Sequence, residues 1–238
     1  MLRSLKELEG YEILATDGEI GHVDDFLFDD RRWTVRYLVV KTGSWLASRR
    51  VLIANVALLE PGSWTERALP VALSRQQVET SPEIDLDMPV SRQREVELHR
   101  HYGWQAYWTR PMDPMGAEPP TVEPAVPTQA PSVEGDSHLR STGEVRGYHI
   151  AAADGEIGHV EELIADTAGW AVRYLVVDTR NWLPGRKVLV SPVWTQSVDW
   201  ARRQVVVDLT REQVRQAPEY DPHAPVNRRY EERLYDFY

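Results

Sequence analysis

Cysteine is absent from the 238 residues. That excludes disulfide staples and thiolate metal sites, and it fits a reducing interior. Lysine is nearly absent: Lys6, Lys41 and Lys187 stand among many arginines, which reads as genome composition. No apolar run approaches the ~20 residues that span a bilayer. The opening Met1-Leu2-Arg3-Ser4-Leu5 lacks a signal-peptide h-region, so a soluble, cytoplasmic protein is expected. An excess of positive charge is missing too. The formal charge is −10 and neither half is basic, so attraction to a phosphate backbone is not built in. A Gly-rich phosphate loop, a nucleophile elbow and an HExxH helix are also lacking, so no enzyme and no cofactor is expected.

What is present is a duplication. Asp17-Gly18-Glu19-Ile20-Gly21-His22-Val23 returns unchanged as Asp154-Gly155-Glu156-Ile157-Gly158-His159-Val160. Residues 10–53 align on 147–190 without a gap, with 25 identities in 44 positions. Asp-Gly between alternating apolar residues signals a hairpin, because Gly accepts positive φ without steric cost. Gly21 and Gly158 then fall inside the returning strand, where Gly marks a bulge, a bend or a close backbone approach.

Each copy reads as five or six short strands with turns every eight to twelve residues, the pattern of a small barrel. In the first copy these are Ile13–Thr16, Ile20–Phe28, Trp33–Thr42, Val51–Ile53, Val56–Leu59 and Ala68–Leu73. Trp33–Thr42 is apolar on both faces, as a strand buried on both sides must be. Ser74-Arg75-Gln76-Gln77 and Thr210-Arg211-Glu212-Gln213 are capping boxes that open short helices ending before Pro82 and Pro218. A second helix is expected over about 92–102 and again over about 228–238. The fold class is therefore mainly β: two small barrels with helical tails, over residues 1–108 and 144–238. A Pro-rich linker joins them over 109–143, where seven prolines lie among small and polar residues.

Candidate chemistry is thin. His22 and His159 each follow the bend Gly beside acids, and a half-exposed strand histidine is the simpler reading than a metal ligand. His99 and His101, two apart on a helix, point to different sides. The turn acids lack EF-hand spacing, so no metal site is expected. Trp45 and Trp182 lie in turns beside Arg49 and Arg186. Aromatic and Arg anchors are enriched at interface hot spots, which makes these four the candidate partner-binding residues. The dense aromatic run Tyr102-Gly103-Trp104-Gln105-Ala106-Tyr107-Trp108 is expected to cover the second barrel or the helical tail.

The order Asp-Gly-x-x-Gly-x-Val, acidic turn, Arg-Tyr-Leu-Val-Val and Val-Leu-Ile resembles the PRC-barrel family over roughly residues 5–73 and 142–208. Residues 210–214, 217–221 and 225–228 look like the tail of bacterial stand-alone PRC-barrel proteins. That family is named for a cytoplasmic domain of the photosynthetic reaction centre. It also includes the C-terminal domain of the ribosome-maturation factor. The resemblance implies a binding or assembly module without common catalytic residues, here a scaffold or adaptor for a protein partner. It also leaves open an accessory role in photosynthesis or electron transfer at a membrane surface, a ribosome or RNA-assembly role, and self-association. Residues 1–11 show no pattern of a membrane helix such as the reaction-centre subunit has, and a second copy stands where the ribosome-maturation factor has a different barrel.

Overall fold

The computed structural model describes residues 1–43, 46, 49–82, 90–109, 138–179, 186–222, 226 and 228–237. The repeated segments fold into repeated elements. The first copy contains β1 (Leu2–Ser4), α1 (Leu5–Leu8), β2 (Glu12–Ala15), β3 (Gly18–Asp29), β4 (Thr34–Thr42), β5 (Arg50–Ala54), β6 (Ala68–Pro70), α2 (Arg75–Glu79) and α3 (Arg92–Tyr102). The second contains β7 (Leu139–Ser141), α4 (Thr142–Val145), β8 (His149–Ala152), β9 (Gly155–Asp166), β10 (Ala171–Asp178), β11 (Lys187–Val190), β12 (Thr195–Asp199), β13 (Gln204–Val207), α5 (Arg211–Gln216) and α6 (Arg228–Phe237). Among the described residues no helix is long and apolar enough to cross a membrane.

The protein is mainly β, but among the described residues the strands do not form two separate closed barrels. They make one mixed sheet in the order β12-β13-β8-β9-β10-β4-β3-β2-β6, with β1 on β9, β11 on β10, β5 on β4 and β7 on β3. The reason lies at the β4–β10 contact. Thr34 pairs with Ala171, and Val35 and Val172 donate their N–H groups to the carbonyls of Trp170 and Trp33. Trp33 and Trp170 are not the first residues of strands, as the pattern suggested. Both take a left-handed conformation, at φ 48° and 56°, and turn the chain into the contact. Phe26 stacks on Trp170 across it, at 6.1 Å between centroids.

The copies also exchange their first strands. β1 pairs antiparallel with β9 of the second copy, Leu2 to Asp166 and Ser4 to Ile164. β7 pairs the same way with β3 of the first copy, Leu139 to Asp29 and Ser141 to Leu27. Residues 139–143, placed in the linker from composition, thus form a strand and the start of a helix. One buried apolar cluster runs through both copies, from Leu5 and Ile13 to Val205 and Val214.

Strand β4 is buried on both faces, as its sequence implies. Leu38 and Val40 enter the shared core, while Tyr37 and Val39 lie under the tail helix α3 with Leu98. In the second copy Leu175 and Val177 face the core, and Tyr174 and Val176 meet Leu234 of α6. Each helical tail therefore covers its own copy. Burying a leucine such as Leu98 or Leu234, both near 0% exposed, contributes about 2 kcal/mol.

Residues 56–59 do not form the expected strand. Asn55–Ala57 is a 3-10 turn, pinned by the Asn55 side-chain amide donating to the Val35 carbonyl at 2.8 Å. A single bridge, Leu58 to Val71, follows it. The second copy makes a strand here, β12, where the first has Pro61 and Gly62. Pro61 lacks the N–H that a ladder needs.

Candidate functional site

The repeated heptapeptide is a construction motif. The hairpin turns at Thr16-Asp17, one residue earlier than the Asp-Gly pair suggested, since Ala15 faces Gly18. Asp17 Oδ1 accepts the Arg75 N–H at 2.8 Å, and Asp154 accepts that of Arg211 at 2.7 Å. Each aspartate thereby holds the start of a helix against its hairpin. The register shifts beside Ile13 and Ile150, so Ile20 and Ile157 are bulged residues. A Cβ on Gly21 would stand 2.1 Å from the Lys41 carbonyl oxygen, and one on Gly158 the same distance from that of Asp178. Only Gly fits there. His22 is exposed, and His159 lies 3.9 Å from Asp178. Among the described residues no cluster of His, Asp or Glu could hold a metal ion.

Of the four expected contact residues, Trp45 and Trp182 lie outside the described residues. Arg49 and Arg186 turn toward their own chain. Arg49 donates to the carbonyls of Val78 and Glu79, both at 2.8 Å, and to Ser81 Oγ at 3.2 Å. Arg186 donates to the carbonyls of Arg215 and Ala217. These groups end helices α2 and α5, where carbonyls lack intrahelical partners and a cation is favoured. The repeated arginine thus ties each small helix to the strand after it.

Sequence reasoning missed the seam between the copies. It is marked by Leu2-Arg3-Ser4 and its identical counterpart Leu139-Arg140-Ser141. Ser4 Oγ donates to Glu162, and Ser141 Oγ donates to Asp25. Asp25 also accepts from Thr142 Oγ1 at 2.7 Å and Gly143 N–H at 3.1 Å. Burial pushes the Glu162 carboxyl up from its ordinary value, against the pull of the Ser4 hydroxyl.

Two crevices flank the seam at equivalent places. One, of about 180 Å³, lies between the Asn55–Trp64 segment and Thr167-Ala168 with Trp170. The other, of about 360 Å³, lies between Asp30, Arg31 and Trp33, the strand at His138 and Arg140, and Thr195–Trp200. Arg140 pairs with Asp30 at 3.1 Å and stacks 4.3 Å over Trp200. Val56 lines the first crevice, its equivalent Val193 precedes Thr195 of the second by two residues, and the two are 66% and 82% exposed.

A profile of the PRC-barrel domain matches residues 2–55 and 141–214, more than half of the chain. The chain belongs to the PRC-barrel family. A search of curated proteins found no match to it. The PRC segments take in the first exchanged strand, the last residue of the second and both copies of the Asp-Gly motif, and they stop before the tail helices α3 and α6.

Beyond the first PRC segment, α3 brings a buried polar cluster to the outer face of the sheet. Glu95 is 2% exposed and accepts from Tyr37 at 3.1 Å and Tyr107 at 2.6 Å, with Arg92 2.6 Å away. The Tyr37 hydroxyl also lies 2.8 Å from His99 Nε2, while His99 Nδ1 faces the Gln105 carbonyl at 3.1 Å. Burial raises the Glu95 carboxyl and lowers the His99 imidazole, each toward its neutral form. Trp104 stacks on Tyr102 at 4.2 Å, and Trp108 lies against His99 and Arg92. The aromatic run thus covers its own helical tail. In the second copy Tyr174 donates to Glu231 at 2.9 Å, so the Tyr–Glu bond is repeated, whereas Leu98-His99 is replaced by Leu234-Tyr235.

Proposed function

We propose that the protein is a non-enzymatic scaffold or adaptor, whose PRC modules each curl toward a small barrel and together grip a protein partner at their seam. One observation carries this reading. The same turn in each copy presents a valine to solvent, Val56 on the lining of one tryptophan-walled crevice and Val193 two residues before Thr195, where the wall of the other begins. A single exposed apolar side chain is ordinary. Its recurrence at equivalent positions beside aromatic-lined clefts is the arrangement of an interaction surface. The charge of −10 favours a protein over a nucleic acid.

The test is affinity capture from the host's own cells with the tagged chain and its Val56→Asp/Val193→Asp variant. Both sites are exposed, so the double variant should keep the wild-type unfolding free energy within about 1 kcal/mol. The reading expects a stoichiometric protein with the wild type and its loss with the variant. It fails if the variant captures that protein equally well, or if nothing specific binds the wild type. Trp45→Ala/Trp182→Ala, run alongside, tests whether the contact extends to the tryptophan turns.

A further inference from the structure

Two equivalent elements related by a two-fold axis meet themselves at the axis. Here position 34 pairs with its own counterpart 171. Position 9 meets its counterpart 146: Arg146 Nη1 lies 3.3 Å from Glu9 Oε2, and Nη2 donates to Oε1. Both residues end the short helix that follows an exchanged strand, and their backbones match, at φ −62°, ψ 138° and φ −60°, ψ 130°. The pair is half-buried, with side chains 27% and 24% exposed. The two copies therefore share a conformation at this position and differ in charge.

That difference selects the partner. A pair of first copies would set Glu9 against Glu9. A pair of second copies would set Arg146 against Arg146, where burial already disfavours the guanidinium charge and Glu162 offsets this only in part. The mixed pair alone is complementary. We infer that Glu9 and Arg146 are the pairing determinant of this chain. The first PRC module presents a surface for a PRC module that carries a basic side chain after its first short helix, and rejects one with an acid there. Opposite charge attracts and like charge at the same spot repels by a similar amount, so the ratio of mixed to like pairs should change on the order of tenfold or more.

The experiment uses the full chain with a protease site inserted between residues 110 and 137. The folded protein is cleaved there, unfolded in urea and refolded, and the resulting pairs are weighed by native mass spectrometry. Wild type should return first-with-second pairs. Glu9→Gln/Arg146→Gln should admit pairs of like copies, with the mixed fraction falling toward the statistical half. Glu9→Arg/Arg146→Glu should restore mixed pairing, which a merely structural role for either side chain would not produce.

Exclusive mixed pairing by the Gln variant overturns the inference, as does scrambled pairing by the folded charge-swap variant. Should the cleaved Gln variant fail to refold, the uncut chain decides. Glu9→Arg and Arg146→Glu must each lower the urea midpoint, and the double variant must recover it. A double variant as weak as the sum of the singles overturns the inference.

Discussion

Alanine at Gly21 tests the fold at its tightest point. The new Cβ would lie 2.1 Å from the Lys41 carbonyl oxygen and 2.8 Å from the Thr42 Cα. Both neighbours are backbone of β4, paired with this part of β3 through Gly21 and Thr42, so no side-chain rotation relieves the clash. The strands must part by ~1 Å, which adds overpacking of about 1–3 kcal/mol to one or two ladder hydrogen bonds of about 1 kcal/mol each. Gly21→Ala should thus cost about 2–5 kcal/mol, a large part of the roughly 5–15 kcal/mol that holds a domain. At about 2–4 °C per kcal/mol, the Tm falls by roughly 4–20 °C.

The control is Gly10→Ala. Gly10 has φ +78° and nothing within 4 Å of an added Cβ, so it should lose only the left-handed strain of about 1–2 kcal/mol. Urea unfolding, followed by circular dichroism, gives both values at constant m. Because one core joins the copies, Gly158→Ala should lower the midpoint of the same single transition. A Gly21→Ala midpoint no lower than that of Gly10→Ala would refute the close-approach argument.

Three further outcomes are expected. Deleting residues 1–4 removes β1 from β9, so hydrogen exchange should speed up at residues 164–167 of the second copy before β3 responds. Arg49→Ala and Arg186→Ala should each cost about 1–3 kcal/mol by urea titration and expose the α2 or α5 amides to exchange. Lysine at either site should recover part of this, since it lacks the guanidinium fork. For pH, Glu95 is raised in the fold, so the native state holds its proton more tightly than the unfolded chain. Its contribution is present below the ordinary carboxylate value and is lost as pH rises from there through the raised value. Glu95→Gln should flatten that decline in urea midpoints. His99 is lowered, so its contribution stands above the ordinary imidazole value and is lost as pH falls through the lowered one. His99→Gln should remove that acid-side loss, and an unchanged profile in either variant would contradict the buried cluster.

Much of the local structure was legible because single residues dictate it. Ser74 with Gln77, and Thr210 with Gln213, form both capping boxes. Gly21 marks a bulge and a close approach, and the two-faced apolar pattern of β4 reports burial on both sides. The seam was harder to see. A three-residue strand such as Leu2–Ser4 has too few residues to show a period, and its partners lie 160 or more positions away. The repeated Leu-Arg-Ser was the available signal, in the same gap-free register as residues 10–53 but upstream of them. Trp33 and Trp170 read as strand residues from their apolar character, yet the seam required them in a left-handed turn. Arg49 and Arg186 read as surface anchors because nothing in the sequence shows which carbonyls lie within reach. Val56 was placed in a strand by its neighbours, and the Asn55 side chain decided otherwise.

The exchange of β1 and β7 sets an order of events during synthesis. When the ribosome has finished the first helical tail, that half has its own sheet and helices but lacks the strand beside β3. The missing piece, Leu139–Ser141, is made only after the proline-rich stretch. Until then the acceptor edge at Leu27–Asp29 is open, and the leading strand Leu2–Ser4 has no β9 to join. The nascent first half must therefore wait on the second, and neither is completed before the other has emerged.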